Sequence, residues 1–212
     1  PEDVPPGPIH QGGAAICRIF GTSGTSGRPK FVPASHDLLA NRVLAKSIAL
    51  GERDDMHLCA TAFGAAMGFH DMLRSLFAGG TLVLSTPSDA IAAVRRHRVN
   101  SMLMSPAMLG SLLQAMPDSD TPPPAMVEIE VSGGTLPGPI LALAERKLCD
   151  RIVSVYGASE THVIASAPAR MLGGRPGAVG MVHPGVRVEA IDAAGEPLPA
   201  GDRKSTRLNS SH

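Results

Sequence analysis

Short apolar runs, several of them β-branched, alternate along this chain with segments of helical periodicity, and the links between them are short. This alternation is the strongest constraint on the fold. Strands separated by a helix pair in parallel, and a parallel sheet has to be covered on both faces. Runs at 16–20, 57–61, 81–84, 101–104, 127–131 and 152–156 read as the strands. Between them, Ser35 can cap a helix whose apolar positions are Leu39, Val43, Leu44 and Ile48, and a second helix is expected over 68–78. A third opens at Thr86-Pro87, where Pro at the first position sacrifices no bond, and closes on Arg95, Arg96, His97 and Arg98, cations that complement the helix dipole. A fourth starts at Ser105-Pro106, with Met108, Leu109, Leu112, Leu113 and Met116 as a core stripe, and a fifth covers 136–148.

The predicted class is therefore α/β, a mostly parallel sheet layered with helices over 16–178. A Pro- and Gly-rich linker or loop precedes it at 1–15. After Arg175 the texture changes to Gly/Pro turns and short β segments such as 186–192, read as the start of a small antiparallel β subdomain over 179–202. The last ten residues, RKSTRLNSSH, are polar and aperiodic; they read as a non-native tail and are left out of the fold.

Composition excludes several functions. Lys plus Arg and Asp plus Glu each number 19, so no basic surplus points to nucleic acid or an anionic membrane. With no Trp, one Tyr and five Phe, base-stacking platforms are not expected either. No apolar run is long enough for a membrane span. Three scattered cysteines, Cys17, Cys59 and Cys149, make neither a disulfide framework nor zinc spacing and suit a reducing, cytoplasmic location. A small-molecule substrate is the expectation that remains.

In open α/β sheets ligands bind beyond the carboxyl ends of the strands, which selects three loops here. The first is GTSGTSGRPK, Gly21 to Lys30. Its glycines let backbone amides turn toward an anion, its hydroxyls add donors, and Lys30 adds a mobile cation suited to phosphate. It is not the common P-loop, because Arg28-Pro29 separate the last Gly from Lys30. The second is SGGTLP, Ser132 to Pro137, where paired glycines allow a flat ring to approach the backbone. The third is YGASET, Tyr156 to Thr161, which combines the chain's one Tyr with two hydroxyl residues and a carboxylate. Taken singly, each also reads as ordinary structure: a flexible linker, a β-to-α turn, and a capping turn in which Ser159 and Glu160 start a helix.

Their order and spacing resemble the adenylate-forming superfamily, which includes acyl-CoA synthetases, peptide-synthetase adenylation domains and luciferase. The family's TSGTTGxPK is matched by TSGTSGRPK, with Ser26 for Thr, and its YGxTE by YGASE, with Ser159 for Thr. Both changes keep the hydroxyl, and the resemblance runs over about 16–202. It implies that a carboxylate attacks the α-phosphorus of ATP to give an acyl-adenylate and pyrophosphate, and that a thiol then takes the acyl group. By the same resemblance, Thr22, Ser23, Gly24, Thr25, Ser26, Gly27 and Lys30 would cradle the departing phosphates. Gly133, Gly134 and Thr135 would line the adenine, with Tyr156 stacked on it beside Gly157. Ser159 would bond the α-phosphate and Glu160 would hold Mg²⁺; Lys30, Ser159 and Glu160 are thus the catalytic set. The implied partners are a carboxylic acid, ATP with Mg²⁺, and coenzyme A or a carrier protein's phosphopantetheine.

The chain also departs from the pattern. FGAAMG, Phe63 to Gly68, lacks the His that follows the pocket Phe in many CoA synthetases, leaving His70 open as a substitute or as an ordinary helix histidine. It also lacks the Asp by which peptide-synthetase domains hold an α-amine, which favours an acid without one. Small residues Ala65, Ala66, Gly68 and Gly134 are expected to leave room for the acyl group. Neither the family's ribose-binding Asp nor its C-terminal lysine has a counterpart by Asp202. The expectation is a central piece of a ligase with negligible adenylation activity alone. The ligase reading stands first, a peptide-synthetase adenylation domain second, and an inactive nucleotide-binding module third.

Overall fold

The computed structural model describes residues 12–22, 30–50, 56–118, 121–173, 175, 177–192, 194–198 and 207–209. Seven strands form the main sheet: β3 (Met56–Cys59), β4 (Thr81–Leu84), β5 (Ser101–Met104), β6 (Glu128–Ser132), β7 (Ile152–Ala158), β8 (His162–Pro168) and β9 (Met181–Val182). Their spatial order is β4-β3-β5-β6-β7-β8-β9. The first five are parallel; β8 and β9 join antiparallel. Helices α1 (His36–Leu50), α2 (Ala66–Phe77), α3 (Ala90–Arg96), α4 (Pro106–Ala115) and α5 (Gly138–Lys147) complete the layers. The expected mostly parallel, helix-covered sheet is what forms. No helix among the described residues is long and apolar enough to cross a membrane.

Several local signals act as read. Ser35 Oγ accepts from Leu38 N at 3.2 Å and Ser105 Oγ from Met108 N at 3.2 Å, so both helix starts are capped by their hydroxyls. The stripe Leu109, Leu112, Leu113 and Met116 is buried, with Met108 packed at its edge. Leu58, Met102, Ile129 and Ile152 stand in register across four strands and form the spine of that core.

Others do not. The strand at 16–20 is not part of the main sheet: β1 (Ile16–Thr22) folds back on β2 (Lys30–Ser35) as an antiparallel hairpin, so the Gly-rich segment joins two hairpin strands. The helix expected from Pro87 begins at Ala90, because Thr86 Oγ1 bonds Asp89 Oδ2 at 2.6 Å and closes a turn first. Arg95 and Arg96 do occupy its last turn, but Arg98 lies beyond it with φ 53°. On α1, Leu39 and Val43 are buried, yet Leu44 and Ile48 are 45% and 69% exposed, and Arg42, Lys46 and Ser47 are buried instead.

The strand at 152–156 continues to Ala158 and turns into β8, so Ser159 and Glu160 sit at a hairpin tip and start no helix. Beyond Arg175, β9 extends the main sheet rather than a separate unit, while β10 (Glu189–Ile191) forms its own pair with β11 (Arg207–Asn209). The polar tail left out of the fold thus supplies a short strand.

Candidate functional site

Two cavities open at the carboxyl ends of β6 and β7, one toward each face of the sheet, and they share Gly133, Val155 and Gly157. The larger, about 650 Å³, is walled by Gly133, Gly134, Thr135, Tyr156 and Gly157, with Leu141 of α5, Ala169, Leu172, Arg175 and Ala178 among the residues closing it. The smaller, about 200 Å³, lies under α2 and is walled by Lys46, Ala66, Met67, His70, Leu103 and the tip residues Ala158, Ser159 and His162, among others.

Backbone chemistry explains why glycine is used here. Gly133 turns the chain out of β6 with φ 87°, a left-handed conformation that other residues resist. At Gly157 a Cβ would fall 2.0 Å from His162 O, so the bulge between Tyr156 and Gly157 needs the bare backbone. The tip beyond it is tied to α1. Arg42 donates through Nη1 to Ser159 O at 3.2 Å and through Nη2 to Glu160 O at 2.6 Å. A buried guanidinium far away in sequence therefore fixes the two tip residues singled out for phosphate and metal. His162, just after them, has φ 60°.

Of the residues singled out from sequence, Gly133, Gly134, Thr135, Tyr156 and Gly157 are brought together around the larger cavity, and Ser159 lines the smaller. Glu160 is exposed at the tip. Lys30 is exposed at the loop end of the β1–β2 hairpin, paired with Thr22, and lines neither cavity. Ser23, Gly24, Thr25, Ser26 and Gly27 lie outside the described residues. Of the four small residues expected to make room, Ala66 lines the smaller cavity and Gly134 the larger. Gly68 instead packs on the Ala62 carbonyl, where a Cβ would sit at 2.7 Å, and Ala65 lines neither cavity.

Sequence reading missed a buried ionic network that reaches the smaller cavity through Lys46. Lys46 Nζ lies 2.8 Å from Glu130 Oε2 and 3.9 Å from Asp71 Oδ1, and Arg74 bonds the other oxygen of Glu130. His57 bridges Asp71 Oδ2 at 2.6 Å and Ser101 Oγ at 2.7 Å. Burial alone would raise the Glu130 carboxyl, but Lys46 and Arg74 together hold it at about 2. The available signal was the spacing of Arg42, Lys46 and Asp71, each on the face that its helix turns inward.

A Mg²⁺ ion that binds through phosphate oxygens needs few protein ligands. The described residues contain no group of three or more His, Cys, Asp or Glu able to hold a metal by themselves. An exposed Glu160 on a fixed tip fits an ion arriving with phosphate.

The model of the AMP-binding enzyme family matches residues 5–203. The chain is 27% identical over 166 residues to the 4-chlorobenzoate–CoA ligase of Pseudomonas sp. strain CBS-3, covering 75% of this chain and 31% of that ligase. It is 25% identical over 210 residues to the salicyl-AMP ligase / salicyl-S-ArCP synthetase of Mycobacterium tuberculosis, covering 93% of this chain and 36% of that protein. Its fold superposes on ATP-bound MatB from Rhodopseudomonas palustris with a TM-score of 0.76 at 28% identity, covering 92% of this chain and 39% of MatB. The chain thus spans about a third of the length of these curated relatives.

Proposed function

The chain belongs to the AMP-binding enzyme family, and from that premise we propose that it is part of an ATP-dependent, AMP-forming carboxylate–CoA ligase. One observation carries this reading: two adjoining cavities at the carboxyl ends of β6 and β7 share Gly133, Val155 and Gly157. One cavity suits a flat ring between Gly133–Thr135 and Tyr156; the other suits a small acid. An acid oxygen held between them attacks the α-phosphorus, the bond to pyrophosphate breaks, and the acyl-adenylate then passes its acyl group to a thiol with release of AMP.

In this reading Ser159 bonds the α-phosphate, Glu160 holds Mg²⁺, and Thr22 through Gly27 with Lys30 meet the departing phosphates. The protein's part is positioning and charge neutralisation, which dominate phosphate chemistry. The location is cytoplasmic and the acceptor is coenzyme A. A carrier-protein acceptor is the second reading, favoured by the likeness to the mycobacterial salicyl-AMP ligase / salicyl-S-ArCP synthetase.

The test is titration of ATP into the chain with and without Mg²⁺. Mg²⁺ should tighten binding by about tenfold or more, and Glu160→Ala should abolish that gain while leaving the melting temperature unchanged, because the carboxylate is exposed. Binding that ignores both Mg²⁺ and the substitution overturns the assignment of Glu160.

A further inference from the structure

One residue lining the cavity under α2 carries a buried polar atom that the fold does not use. His70 is 4% exposed and is one of the residues that line this cavity. Its Nδ1 lies 2.7 Å from the Ala66 carbonyl oxygen. A carbonyl can only accept, so Nδ1 carries the proton and Nε2 of the neutral ring is a bare acceptor. Burial lowers the imidazole to about 4, helped by the charges of Arg42 and Lys46 and opposed by the bond to Ala66. The ring is therefore neutral near pH 7.

Nε2 is buried with no hydrogen-bond partner among the described residues. Phe20 and His162 pack on the ring at centroid distances of 5.1 and 4.6 Å, fixing it by contact. A buried acceptor left bare carries an unrecovered desolvation cost, which a ligand's donor would recover.

We propose that His70 is a specificity determinant of the acid pocket, its Nε2 accepting a hydrogen bond from a hydroxyl or N–H on the organic body of the carboxylic acid. The proposal rests on the acid-activating reading above and names its substrate class: a small acid bearing a neutral donor. A cationic donor is disfavoured because Arg42 and Lys46 already place positive charge beside the ring. Size agrees, since a cavity of about 150 Å³ admits benzene and this one is about 200 Å³.

Benzoate and the 2-, 3- and 4-hydroxybenzoates share one ring and one carboxylate and differ only in the donor. Titrated into the chain with ATP and Mg²⁺ present, at least one hydroxy acid should bind about tenfold or more tighter than benzoate. That preference should vanish in His70→Phe and return in part in His70→Gln, whose amide oxygen can accept. The ¹⁵N resonance of His70 Nε2 in the unsubstituted chain should shift with the preferred hydroxy acid and not with benzoate, a readout that survives even if His70→Phe does not fold.

Equal affinities across the panel, no binding by any member, or an undisturbed Nε2 resonance overturns the proposal. Nucleotide binding without a donor preference defeats the His70 assignment alone. A donor preference without nucleotide binding defeats the ATP reading instead.

Discussion

On the face of the sheet covered by α3, α4 and α5, Leu58, Met102, Ile129 and Ile152 pack as one apolar layer. On the face beneath α1 and α2, neighbouring residues of the same strands are His57, Ser101, Glu128 and Glu130, buried with Lys46, Asp71 and Arg74. Side chains alternate across a strand, so Ile129 and Glu130 are adjacent in sequence and opposite in environment. The apolar layer follows from burial alone. The ionic layer holds only because each charge has a partner, and it reaches the smaller cavity through Lys46. The lesson is that one face holds the sheet together while the other fixes α1 and α2 over the site through paired charges.

The contrast can be broken most forcefully at Glu130. Glu130→Ala leaves Lys46 and Arg74 buried without their carboxylate and should cost about 3–5 kcal/mol in chemical denaturation. Adding Lys46→Met and Arg74→Leu should recover half or more of that loss, since a buried ion pair is costly mainly when it is broken. Failure to recover would mean that the network contributes net stability.

Acid sharpens the same difference. The folded Glu130 carboxyl, held at about 2, lies below its ordinary value of 4.5. Its contribution is therefore complete above about pH 4.5 and is lost as pH falls toward 2, a change of about 3 kcal/mol by linkage. Stability curves measured from pH 5 to 2 should show this slope, and Glu130→Gln should flatten it. On the apolar face, Ile129→Val should cost about 1 kcal/mol with no such pH dependence. A pH-dependent loss there would show that the two layers are not independent.

The contrast also marks what the sequence made legible. The parallel strands and the α4 stripe could be read because their partners are apolar, and periodicity reports apolar burial. Leu44 and Ile48 fit the helix's apolar stripe yet are exposed, while Arg42 and Lys46, which the pattern does not single out, are buried, because periodicity cannot see a charge whose partner lies about 25 to 120 residues away on another element. The antiparallel β8 escaped notice because His162–Pro168 has small, mixed side chains and follows a turn that also fits a helix cap. The glycine positions of the larger cavity were legible because a left-handed turn at Gly133 and the bulge at Gly157 need a bare backbone, a need that local sequence states directly. The orphaned Nε2 of His70 was not, since it depends on what surrounds α2.

The nucleotide assignment is tested most directly by mapping where ATP with Mg²⁺ perturbs the backbone amide resonances of this chain. The larger perturbations are predicted at Gly133, Gly134, Tyr156 and Gly157, around the cavity at the carboxyl ends of β6 and β7. Perturbations centred on Asp150, Ile152 and Ala167, which line a separate cavity at the other end of those strands, or none at all, would contradict it.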